Sequence, residues 1–131
     1  MGTLQEMSQE ECVELLAAGL VGRAAICTPD GPYVVPVNYS VHADTIVFRT
    51  TPYSVLGTYG WAGDVAFEID EVDRERHEGW SVVARGRAEM VEDVEEIEEI
   101  RWAHDPKPWA DGARPLYVRL RWREITGRRI S

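Results

Sequence analysis

The hydrophobic and polar positions change period several times along the chain, and each change marks an element. Over residues 7–19, Cys12, Leu15, Leu16 and Gly19 share one helical face. Ser8 with Glu11 three residues on is a capping-box pattern and Gly19 a stop, which predicts a helix that plugs one side or end of a sheet. Val21–Thr28 (VGRAAICT) predicts the first strand. Pro29-Asp30-Gly31-Pro32 predicts a turn, with Pro fixing φ and Gly supplying φ > 0. Residues 33–40 and 45–50 are rich in Val, Ile, Tyr, Phe and Thr and predict two strands joined as a hairpin through His42-Ala43-Asp44. Pro36 donates no ladder hydrogen bond, so its strand belongs at an edge or carries a bulge.

Residues 54–59 predict a short helix, and 64–72 and 79–91 predict two strands around a charged turn at 73–78. The second of these is long enough to bend at Gly86, as barrel strands do at corners. An acidic helix follows at 92–102, then a Pro/Gly-punctuated loop at 104–114 that is too long for a simple connector. The last predicted strand, 116–123, alternates Leu116, Val118, Leu120 and Trp122 against Tyr117, Arg119, Arg121 and Arg123. About six strands, two or three helices and no βαβ rhythm predict a mainly β fold, an antiparallel barrel.

Composition narrows the picture. A chain of 131 residues supports one core and a single domain over 1–131. A hydrophobic fraction of 44% and five Trp argue for a folded globule. The net charge of -9 argues against sequence-independent nucleic-acid binding, which needs a basic surface. No apolar run approaches a membrane span and the first residues carry no signal-peptide pattern, so the expectation is a cytoplasmic protein. Cys12 and Cys27 could pair, but in such a chain they read as reduced, small buried hydrophobes.

Several chemistries find little support. His42, His77 and His104 are scattered through predicted turns and the cysteines lack ligand spacing, so no metal site is expected. Gly57, Gly60 and Gly63 imitate a dinucleotide fingerprint, but no strand leads directly into a following helix there. There is no G-x-S-x-G elbow and no phosphate-loop motif. The single lysine, Lys107, makes Schiff-base catalysis a poor reading. The acidic residues of 92–102 read as a solvated face. By contrast, Arg49-Thr50 closes a strand with a fork of donors and a hydroxyl, groups suited to a phosphate.

In this order, PVNY, IVFRT, VAFEID, GWSVVARGRAEMV and the ending EITGRRI resemble the FMN-binding split-barrel proteins. These are the pyridoxamine 5'-phosphate oxidase-like group, in its small single-domain branch that includes nitroimidazole-resistance-like proteins. The resemblance runs from about residue 15 to residue 130. It implies an antiparallel split β-barrel, a homodimer with two equivalent sites at its seam, and a flavin cofactor, FMN, serving a small-molecule substrate. It further implies that Arg49 and Thr50 hold the flavin phosphate, while Val37, Asn38 and Tyr39 line the isoalloxazine. Trp80 and Ser81 would approach from a partner strand or the second subunit, and Trp109 would cover the ring across the dimer. No catalytic residue is singled out.

Each residue also has a plainer reading: Arg49 as an ion-pair partner, Asn38 at a bulge, Trp80 in a core or interface, Tyr39 as a core aromatic. Relatives commonly carry a lysine shortly after the FRT motif, where this chain has Val55, which implies weak FMN binding unless Val55 packs in the core. Two alternatives remain open. One is a deazaflavin coenzyme, whose acidic tail would call on Arg23, Arg85 and Arg87; the other is a non-catalytic dimer that has lost its cofactor.

Overall fold

A computed structural model describes residues 2–61, 63–110 and 112–131. A short strand that the sequence reading missed, β1 (Leu4–Glu6), precedes α1 (Gln9–Ala18). Ser8 caps α1 by accepting the Glu11 N–H at 3.2 Å, and Gly19 ends it, as the capping pattern implies. Then come β2 (Val21–Thr28), β3 (Gly31–Asn38), β4 (Ser40–His42) and β5 (Thr45–Thr50). They are followed by α2 (Val55–Tyr59), β6 (Asp64–Asp73), β7 (Glu78–Met90), α3 (Val94–His104) and β8 (Leu116–Ile130).

The strands form one sheet in the order β3-β2-β6-β7-β8-β5-β4, every neighbour antiparallel, with β1 added against β8. The sheet curls into a split barrel around Ile26, Ile46, Phe48, Phe67, Val82 and Leu120, and α1 packs Cys12 and Leu16 into the same core. A smaller core of Val47, Val91, Ile100 and Tyr117 sits on the other face of β5, under α3. β5 is therefore buried on both faces, which explains why nearly every one of its residues is inaccessible. β3 ends the strand order, so Pro36 does lie on an edge strand.

Three expectations change. Residues 33–40 and 45–50 do not form a hairpin, because β3 pairs with β2. Tyr39 interrupts the first run by turning inward, its N–H donating to the Leu20 carbonyl at 3.1 Å. The hairpin is instead β4 with β5, closed at Ala43 and Asp44, whose φ values of 47° and 63° give the turn the hand a two-residue hairpin needs. β8 runs seven residues beyond 123, since a bulge opposite Arg85/Gly86 reverses the inward parity from Trp122 to Ile125 and hides the continuation. Gly86 sits at that bulge, where any Cβ would strike the Arg121 carbonyl. Finally, Cys27 is exposed: Ala24 and Ile26 take the inward parity of β2 and leave Cys27 outside, while Cys12 is buried and both thiols are free.

Candidate cofactor site

The alternation of β5 sends Arg49 and Thr50 to opposite faces. The Thr50 hydroxyl is buried and lies 2.6 Å from Ser54 Oγ. Ser54 in turn caps α2, accepting the Gly57 N–H at 2.9 Å. Arg49 emerges on the α3 side. Its guanidinium lies over the Tyr117 ring at 5.0 Å, Nε donates to the Arg114 carbonyl at 3.1 Å, and Nη1 is 3.6 Å from Asp105 Oδ2. Tyr117 donates its hydroxyl to the other Asp105 oxygen at 3.1 Å. Arg49, Lys107 and Arg114 line a cleft of about 300 Å³ formed by the loop after α3.

A larger cleft of about 630 Å³ lies between the end of α1, the β3–β4 junction and the end of α3. Asn38, Tyr39, His104, Lys107 and Trp109 are among its walls, so Lys107 borders both clefts. Asn38 Oδ1 accepts the Trp109 N–H at 2.9 Å, a contact across 71 residues that fixes the loop against β3 and leaves the carboxamide N–H donors uncommitted among the described residues. Trp109 presents most of its ring to solvent. Tyr39 is 3% exposed, its hydroxyl donates to the Leu16 carbonyl at 2.6 Å, and its ring meets Phe67 edge-on at 4.8 Å. Burial pushes its phenol up to about 12. A side chain at Gly19 would collide with that hydroxyl, so the glycine that stops α1 also makes room for it. Val37 packs its side chain against the main core and offers only its main chain, on the open edge of β3.

Trp80 and Ser81 lie elsewhere in the chain. They border a separate, largely apolar cleft of about 620 Å³ with Leu4, Val72, Arg128 and Ile130. It shares no wall with the Asn38–Trp109 cleft. The structure therefore brings together Asn38, Tyr39 and Trp109, places Arg49 next door, and separates Trp80 and Ser81 from them.

Other sequence expectations resolve similarly. Val55 opens α2 and packs against the main core. Arg23 pairs with Asp70 at 2.8 Å and with Glu68 at 3.0 Å, which raises its already high pKa, and Arg85 pairs with Glu124 at 2.9 Å. Neither borders the two clefts near Lys107. Sequence reasoning missed Asp105, Tyr117 and Lys107 as neighbours of Arg49, since nothing in local spacing links β5 to a loop over fifty residues on. It also missed the approach of His42 and His104, whose rings stand 5.1 Å apart, with the Ser40 hydroxyl donating to the His104 carbonyl. Among the described residues, no three His, Cys, Asp or Glu converge as metal ligands, and no helix is long and apolar enough to cross a membrane.

A curled antiparallel split barrel plugged by a helix defines a class of fold, and this chain is similar to known proteins along nearly its whole length. The pyridoxamine 5'-phosphate oxidase family model matches residues 8–129. The chain belongs to that family. An uncharacterized protein of Mycobacterium tuberculosis is 31% identical over 130 residues, 95% of this chain and 84% of that protein. The structure of the FAD-binding protein from Mycobacterium smegmatis is similar with a TM-score of 0.79 and 31% identity, covering 95% of this chain and 97% of that one. A conserved Corynebacterium diphtheriae protein of unknown function is similar with a TM-score of 0.81 and 28% identity, covering 98% of each.

Proposed function

We propose that the chain, one domain over 1–131, is a cytoplasmic flavin-nucleotide-binding oxidoreductase that holds FMN at the seam of a homodimer and acts on a small molecule. The observation that carries the reading is the end-to-end similarity to the Mycobacterium smegmatis FAD-binding protein. The geometry fits the group. A cleft of about 630 Å³ is of a size for a flavin ring, and the adjoining cleft offers Arg49 to a phosphate. When bound, the flavin supplies the redox chemistry, and the protein positions it and shapes its surroundings.

In this reading Asn38 donates its carboxamide N–H to the ring edge and Trp109 covers a ring face. Val37 and Tyr39 contribute main chain, because their side chains are committed to the core. Arg49 binds the phosphate, while Thr50, expected from the sequence to hold it too, faces the other side of β5 and is committed to the Ser54 cap of α2. Trp80 and Ser81 reach the site from the second subunit, which reconciles them with their separate cleft.

The name of the Mycobacterium smegmatis relative favours one second reading, FAD in place of FMN. The deazaflavin reading is weaker, since Arg23 and Arg85 are already paired on the sheet and none of Arg23, Arg85 and Arg87 borders the clefts near Lys107. Parallel titrations with FMN, FAD and the deazaflavin coenzyme, followed by absorbance, test the proposal. Saturable binding of a flavin nucleotide supports it; preference for the deazaflavin coenzyme, or no binding of any of the three, refutes it.

A further inference from the structure

The loop between α3 and β8 brings both a carboxylate and further cations to Arg49. We propose that this loop builds the phosphate half of the site, with Lys107 as a cation that joins Arg49 on the phosphate and Asp105 as a counter-ion that the phosphate displaces from Arg49. The inference rests on the flavin reading for the identity of the ligand, and on the geometry alone for the anion site.

Lys107 is the chain's one lysine and stands between Pro106 and Pro108. Pro106 is buried, and proline restricts both its own φ and the residue before it, so the lysine backbone is held in place while its side chain stays in solvent. Lys107 has no hydrogen bond or ion pair among the described residues, and no carboxylate among them lines the cleft it shares with Arg49. Three cationic residues, Arg49, Lys107 and Arg114, border one small cleft, which suits a phosphate monoester, and the ring-sized cleft on the other side of Lys107 suits the rest of such a ligand.

Asp105 is poised to yield. Its approach to Arg49 is a single contact at 3.6 Å, long for an ion pair, and the guanidinium keeps N–H donors beyond those used on Asp105 and the Arg114 carbonyl. The other Asp105 oxygen accepts from Tyr117 at 3.1 Å, so the carboxylate retains a partner after Arg49 turns to a phosphate. Tyr117 is itself fixed in the smaller core, which keeps Asp105 near the site as a competitor.

Because the chain has one lysine, selective ¹³C labelling of lysine gives one side-chain NMR signal that belongs to Lys107. We expect inorganic pyrophosphate, which has no ring to enter the larger cleft, to shift that signal saturably, and FMN to shift it as well. Lys107→Gln should weaken FMN about tenfold, as loss of one charge-assisted contact does. Asp105→Asn, which keeps an acceptor for Tyr117, should tighten FMN several-fold. Riboflavin affinity should change less than FMN affinity in both variants. A lysine signal that moves with neither pyrophosphate nor FMN overturns the proposal. So does FMN affinity that is indifferent to both substitutions while Arg49→Ala weakens it, a result that leaves the flavin reading standing. Pyrophosphate binding that depends on Lys107 and Asp105, with no flavin bound, supports the anion site and overturns the flavin reading instead.

Discussion

Arg49 and Thr50 are adjacent in sequence and act on opposite faces of β5, the guanidinium 5.0 Å from the Tyr117 ring centroid and the hydroxyl 2.6 Å from Ser54 Oγ. Their substitutions should therefore separate. Arg49→Ala should weaken FMN by roughly ten- to a hundredfold, the loss of about 1.5–3 kcal/mol expected for a charge-assisted contact. Thr50→Val should cost about 1 kcal/mol of stability by stripping a hydrogen bond from the α2 cap, and should reduce FMN affinity far less. Flavin fluorescence titration and denaturant unfolding of both variants check the contrast.

Val55 gives a second test. It packs against the main core at the first turn of α2, so a lysine there must bury its stem or tear the turn open. Val55→Lys should destabilise the fold by about 1–3 kcal/mol and should not tighten FMN. An FMN titration of the variant showing a gain in affinity would restore the reading in which a missing cation at this position limits binding.

Tyr39 predicts a pH dependence. Its phenol, ordinarily near 10.0, is pushed up to about 12 by burial. The folded state thus keeps a proton that the unfolded state gives up. Its contribution is fully present below pH 10 and is lost as pH rises from about 10 to 12, up to about 3 kcal/mol in all. Tyr39→Phe should leave the Leu16 carbonyl without its 2.6 Å partner and cost about 1–3 kcal/mol near neutral pH. Stability of the variant should then fall less steeply than that of the parent between pH 10 and 12. Equal slopes in pH-dependent urea unfolding would contradict the assignment.

Much of this fold was legible in the chain because local signals and packing agree. Ser8 and Glu11 mark a helix that does start there, and Leu116, Val118, Leu120 and Trp122 do share the face turned to the main core. The errors arise where a single residue breaks a period. The bulge near Gly86 shifts the parity of β8, so an alternation count ends at 123 while the ladder continues to Ile130. Tyr39 is aromatic and β-prone, and only its bonds to the Leu16 and Leu20 carbonyls reveal that it leaves the sheet instead of extending a strand. In the proposed reading the PVNY and FRT motifs supply Asn38 and Arg49 to the site. The Asp105–Arg49–Tyr117 cluster could not be read, since it is assembled by a loop whose sequence encodes punctuation and no contact.

The two separated clefts predict assembly. If Trp80 serves a site built on Asn38, it must do so from a second copy, and sedimentation should show a dimer at micromolar concentration. Asn38→Ala and Trp80→Ala should each weaken FMN in a homodimer. Mixing the two variants through a subunit-exchange step should restore one intact site per mixed dimer. A monomer in sedimentation, or no recovery on mixing, would contradict the shared site.

Equilibrium dialysis of the purified protein against FMN tests the cofactor assignment most directly. Saturation at one FMN per chain, with a perturbed flavin spectrum and loss of binding in Asn38→Ala, is the predicted result. No saturable uptake up to about 1 mM, a ceiling equivalent to roughly 4 kcal/mol of binding free energy, would contradict it.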